Sequence, residues 1–181
     1  GFQNDLIWYN DSLSNSFYQN NTAKGTFGYQ FSDRVDFKLA VHQIILGQNF
    51  GDYLYEATAD ILAGENLGKF RVGAYSQNKS PEMIFRRANL TYHQWETDLA
   101  KTKTQNVSFA YDNPKLGFSG KAEYFLMNNY LYFREVDNPS DLPRLRHVIE
   151  PVASGALNLL KISVNQNFKF RRFHLDNLVV Y

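Results

Sequence analysis

The chain has no cysteine in its 181 residues, which rules out a disulfide scaffold and a thiolate metal site. An excess of one charge is also missing: 19 Lys and Arg stand against 18 Asp and Glu, for a formal net charge of +1. That balance raises no field for nucleic acid, anionic lipid or an acidic substrate. Proline is scarce, at 5. No run approaches the ~20 apolar residues of a membrane helix, and no stretch reads as a signal peptide. GxSxG, P-loop, GxGxxG and HExxH patterns are all absent, and His42, His93, His147 and His174 are not spaced as metal ligands. No catalytic, cofactor-binding or metal-binding residue is therefore expected, and the chain is not read as an enzyme.

Aromatic residues are plentiful. Phe 15 and Tyr 12 accompany a mean hydropathy of -0.44, because the background is Asn, Gln, Ser and Lys rather than Leu and Ile. Transmembrane barrels show this mixture, since only every second strand residue must be apolar and aromatics gather at the interfaces.

The organising stretch runs from Ala23 to His42. On its first arm Gly25, Phe27, Tyr29 and Phe31 alternate with Lys24, Thr26, Gly28 and Gln30; on its second, Val35, Phe37, Leu39 and Val41 alternate with Asp36, Lys38, Ala40 and His42. Period two predicts strands. With Ser32, Asp33 and Arg34 as the loop, Phe31 faces Val35, Tyr29 faces Phe37, Phe27 faces Leu39, Gln30 faces Asp36 and Lys24 faces His42. One face is greasy and the other charged or small, which suits a soluble core or lipid equally well.

Further strands are expected at Phe2 to Tyr9, with a polar loop after it, and at Tyr53 to Ala63 and Gly68 to Ser76 about a turn at Gly64 to Leu67. This turn pairs Ile61 with Phe70, Ala59 with Val72 and Asp60 with Arg71. A strand is predicted within Met83 to Trp95. A hairpin about Asp112 to Lys115 follows, setting Tyr111 against Leu116, Phe109 against Phe118, Ser108 against Ser119 and Asn106 against Lys121. Asn129 to Phe133 reads as a short strand, Arg134 to Pro151 as an irregular surface loop, and Ser154 to Asn165 and Phe168 to Tyr181 as two last strands. The fold class is all-β, an antiparallel up-and-down meander of about ten strands. One count conflicts with a membrane barrel, whose short turns share one end: the turn at Asp112 to Lys115 falls at the opposite end from those at Ser32 to Arg34 and Gly64 to Leu67.

Three segments carry a family resemblance: Tyr92-His93-Gln94-Trp95, Asn128 to Phe133 (NNYLYF), and Phe173 to Tyr181 (FHLDNLVVY). On these residues the chain resembles the β-barrel porins of Bacteroidota outer membranes. The resemblance implies a transmembrane β-barrel with a pore role in the bacterial outer membrane and no catalytic residues. It also implies that residues 1–181 are one barrel section, since Tyr181 stops inside an apolar strand. Partners expected are outer-membrane lipid and small polar solutes, with other membrane subunits or a homo-oligomer admitted and no nucleic acid. No cofactor is expected.

Pore-lining candidates are then the charged alternates Asp36, Lys38, Glu56, Asp60, Lys69, Arg71, Arg87, Lys121 and Glu123. Glu56 and Asp60 share a face, but four residues along a strand separate them by about 13 Å, too far for a retaining glycosidase pair. Phe168 to His174 interleaves bases and aromatics as a single-strand binder does, yet strand alternation and the neutral charge explain it. The alternative left open is a soluble secreted β-sandwich or barrel binding carbohydrate or another small ligand, with the same aromatics as its core.

Overall fold

The computed structural model describes residues 1–10, 15–64, 66–89, 94–137, 147–167 and 172–180. In order its elements are β1 (Phe2–Asn10), β2 (Asn15–Ser32), β3 (Val35–Gly47), β4 (Tyr53–Gly64), β5 (Gly68–Lys79), α1 (Met83–Arg86), β6 (Arg87–Asn89), β7 (Gln94–Glu96), β8 (Thr102–Asn113), β9 (Phe118–Asn128), β10 (Leu131–Asp137), β11 (His147–Ala153), β12 (Ala156–Asn167) and β13 (Arg172–Val180). Nine strands make one antiparallel sheet in the order β1-β2-β3-β4-β5-β8-β9-β12-β13. Its edges are β1 and β13. No helix among the described residues is long and apolar enough to cross a membrane.

The remaining strands form two small ribbons, β6 with β7 and β10 with β11, outside that sheet. This corrects the strand predicted within Met83 to Trp95, where a single helical turn and the β6–β7 ribbon stand instead; Tyr92 and His93 lie outside the described residues. It also removes the conflict of ends. With β8 paired directly to β5, the β2–β3, β4–β5, β8–β9 and β12–β13 strand ends that are joined in sequence all fall at one end of the sheet. The strand ends joined by the longer links, β5–β8 and β9–β12, fall at the other, with those of β1–β2 and β3–β4.

Within the expected irregular loop, β10 and β11 pair from Leu131↔Ala153 to Asp137↔His147. Pro151 is tolerated there, because each strand of a two-stranded ribbon keeps one edge free of ladder bonds. Pro139 and Pro143 lie outside the described residues. The polar segment after β1 is another correction: β2 begins at Asn15 and pairs with β1 from Asn10↔Asn15 through to Phe2↔Ala23.

The β2–β3 register is the expected one at Tyr29↔Phe37, Phe27↔Leu39, Gln30↔Asp36 and Lys24↔His42. It departs only at the tip. Ser32 pairs Val35 across a tighter turn, leaving Phe31 in a bulge rather than opposite Val35. The β4–β5 pairs Ile61↔Phe70, Ala59↔Val72 and Asp60↔Arg71 are as expected. Between β8 and β9 the register is shifted, to Tyr111↔Gly120, Phe109↔Ala122, Ser108↔Glu123 and Asn106↔Phe125. The reason is the turn itself. Asn113 accepts the Leu116 N–H on its side-chain oxygen at 3.1 Å, and Gly117 takes a φ of 59°, so the reversal occurs at residues 114–117. Since the slip is even, every side chain keeps its expected face.

Candidate pore-lining face

Because side chains alternate along each strand, the cross-strand register sorts the whole sheet into two faces. One row across it reads Tyr29, Phe37, Ala59, Val72, Phe109, Ala122 and Ile162; the next reads Phe27, Leu39, Ala57, Ala74, Val107, Tyr124 and Leu160. Nothing in the described chain covers them. Phe27 is 58% exposed, Val107 59% and Phe109 48%, and among the described residues the only buried hydrophobic side chain is Ala88. Among the described residues the sheet has no hydrophobic core. Its apolar band runs on β4 from Tyr53 to Ile61, about 26 Å along the strand. At a tilt of ~40° that is about 20 Å of depth, close to the apolar belt of a membrane barrel.

The opposite face carries the ions. One row reads Gln30, Asp36, Asp60, Arg71, Ala110, Lys121 and Ser163; its neighbour reads Gly28, Lys38, Thr58, Gly73, Ser108, Glu123 and Lys161. Asp36, Lys38, Glu56, Asp60, Lys69, Arg71, Lys121 and Glu123 therefore share this face. Arg87 does not share the sheet; it is on β6, in the separate ribbon.

The structure joins these ions in small groups. Arg71 donates from Nε to Asp60 Oδ1 at 2.6 Å and from Nη2 to Oδ2 at 3.2 Å, while Lys69 Nζ stands 3.1 Å from Oδ2. The bidentate geometry has a purpose, because Asp36 sits directly opposite Asp60 in register and two carboxylates side by side repel. Asp36 has its own partner in Lys38, at 3.4 Å, and Glu123 has Lys121, at 2.8 Å. Glu56 faces Tyr75 instead, with no ion pair among the described residues. Sequence reasoning missed Asp112, which alternates with Ala110 and Ser108 on the same face but had been assigned to the turn, and Lys161, opposite Glu123.

A second construction was not anticipated at all. At the long-loop end Asp52, 8% exposed, accepts the backbone N–H of Ser80 at 2.8 Å, its hydroxyl at 2.7 Å and Lys101 Nζ at 2.8 Å. Lys101 also donates to the Phe50 carbonyl, at 2.6 Å. Asp52 thus fixes both ends of the 80–101 connection to the turn after β3. The segment that leaves Ser80 folds over the polar face: Glu82 and Phe85 line one cavity with Gln77, Thr104 and Met127, and Pro81 to Met83 line another with Ile7 and Tyr18. Phe85 stacks on Phe133 of β10 at 4.7 Å and 11°, and Trp95 closes on the same ring at 5.6 Å, its indole N–H donating to the Ile84 carbonyl. The two long connections are thereby docked to each other.

A family profile described as "Putative porin" matches residues 4–181. No curated protein and no solved structure matches the chain.

Proposed function

The chain belongs to the porin family which that profile defines, and on this premise we propose that its sheet is a section of the wall of a transmembrane β-barrel in a bacterial outer membrane, forming a passive pore for small polar solutes. The observation that carries the reading is the uncovered apolar face set against a polar, ion-bearing one, with no hydrophobic core among the described residues. Lipid is the solvent such a face requires, because aromatic and branched side chains left in water forfeit about 25 cal/mol for every Å² exposed. The paired ions then face a water-filled lumen, where alternating signs give a hydrated wall with little net ion preference. The gathering of short turns at one end supports an orientation: that end faces the periplasm and the long connections face outward. The finer likeness to Bacteroidota porins is supported by the resemblance at Tyr92 to Trp95, Asn128 to Phe133 and Phe173 to Tyr181.

The test is made on the full-length protein in planar bilayers and in detergent partition. The native chain is expected to partition with detergent and to pass current. Phe37→Asp places a carboxylate in the apolar band and should reduce membrane assembly, whereas Lys38→Asp on the adjacent face should assemble normally and shift the pore toward cations. A native chain that stays monomeric in plain buffer, with both variants equally damaged, would return the molecule to the soluble ligand-binding alternative.

A further inference from the structure

The polar face is not uniform. Toward the short-turn end it is ionic, with Lys69 and Arg71 both on Asp60; toward the long-loop end, about 20 Å further along β5, it passes to Gln77 and the cavity beneath Phe85. We propose that this cavity, between the segment leaving Ser80 and the polar face of β5, β8 and β9, is the solute-selecting site of the pore, and that it takes uncharged, hydroxyl-bearing organic molecules of monosaccharide size. The inference rests on the pore reading and sharpens it.

Three observations converge on that chemistry. The cavity holds about 250 Å³, just below the ~300–1,000 Å³ common for ligand sites, so it suits a single small ring rather than an extended chain. Its charges are already spent on each other: Lys79 Nζ meets Glu82 Oε1 at 2.7 Å, and the neighbouring Lys101 is engaged by Asp52. An ion entering there would meet the apolar Phe85, Met127 and Leu131, and among the described residues each charge lining the cavity already has a partner. What the walls still offer is neutral: the Gln77 amide, the Thr104 hydroxyl and the Tyr130 phenol, beside an aromatic ring whose tilt is set by its stack on Phe133. Hydrogen-bonding groups next to a fixed apolar surface match a molecule with hydroxyls on its edge and C–H groups on its faces. The site is also held in place, since Ser80, at the root of the segment, is 5% exposed and doubly bonded to Asp52.

The experiment uses the full-length protein in planar bilayers, with glucose as the neutral probe and gluconate and glucosamine as charged probes of similar size. Glucose is expected to interrupt the ion current saturably, at concentrations at least about tenfold below those at which either charged probe does so. Phe85→Ala should raise the half-blocking glucose concentration about fivefold, which converts to about 1 kcal/mol of lost aromatic contact. Phe85→Leu keeps the bulk without the ring face and should raise it similarly; the sugar-free current of each variant reports its assembly. A conducting native chain that glucose does not interrupt, or that all three probes interrupt alike, overturns the inference and leaves the pore reading standing. Unchanged block in both conducting variants also overturns it. A native chain that passes no current at all sinks the pore reading, and this one with it.

Discussion

The two ends of the sheet are built on different physics. At the short-turn end consecutive strands are joined by a few residues, and backbone geometry decides the pairing: Gly68 at φ 77° and Gly117 at φ 59° supply left-handed positions where the chain reverses. At the long-loop end, strands β5 and β8 are neighbours although residues 80–101 separate them, and it is a buried carboxylate and a stack of aromatic rings that bring the chain back. The first end is specified locally, the second by contacts between segments far apart in sequence. Substitutions should fail differently at each.

The largest effect is expected from Gly68. A Cβ there would lie 2.3 Å from the Asp112 carbonyl oxygen, on a backbone conformation that side chains rarely adopt. Gly68→Val should therefore cost more than about 4 kcal/mol and abolish the β4–β5–β8 register. Gly25, on the apolar face of β2, has open space around its Cβ position, so Gly25→Val should change stability by less than about 0.5 kcal/mol. Urea midpoints in detergent measure both. Equal midpoints for the two variants would remove the claim that this end is set by backbone geometry.

A carboxylate can be tested at each end in the same way. Asp52 is enclosed and holds three donors, so Asp52→Asn is expected to cost about 2–3 kcal/mol and to open residues 80–101 to proteolysis. Asp60 is nearly as covered as Asp52, but its partners differ: the Lys69 and Arg71 side chains are about half exposed and bind no backbone through it, so Asp60→Asn should cost less, about 1 kcal/mol. In the proposed pore its effect would fall on permeation: with their counter-charge gone, Lys69 and Arg71 should move the reversal potential toward anions. Comparable stability losses in the two variants, or an unmoved reversal potential for the second, would erase the contrast between a structural and a lumenal carboxylate.

The same division governs what the sequence discloses. Period-two alternation and a short turn were enough for Tyr29↔Phe37 and Asp60↔Arg71, because each pairing needs only residues nearby in the chain. The turn after β8 was misplaced because Pro114 is a louder signal than Gly117, the residue that takes the positive φ; the even slip spared the faces of Lys121 and Glu123. Arg87 was put among the pore candidates on alternation alone, and nothing local says that its strand leaves the main sheet. Asp52, Ser80 and Lys101 carry no motif. Their association depends on three turns meeting in space, which is visible only once β5 and β8 are known to be neighbours.

The smallest effect expected is also at the long-loop end, and it depends on pH. Lys79 lies three residues before Glu82, and its hydrogen bond, followed by its charge, holds the Glu82 carboxyl below its ordinary value of 4.5. A carboxyl whose pKa is depressed by folding adds stability above its unfolded value and loses it as pH falls through the folded one. The contact should therefore be intact at neutral pH and weaken only as the pH drops below 4.5. Both side chains are more than half exposed, so the loss should be at most a few tenths of a kcal/mol and should be screened by salt. Proteolysis of the 80–101 connection should rise slightly between pH 5 and pH 3 with an acid-tolerant protease, and Glu82→Gln should flatten that rise. If Glu82→Gln leaves the rise unchanged, the acid sensitivity of this end does not come from the Lys79–Glu82 contact.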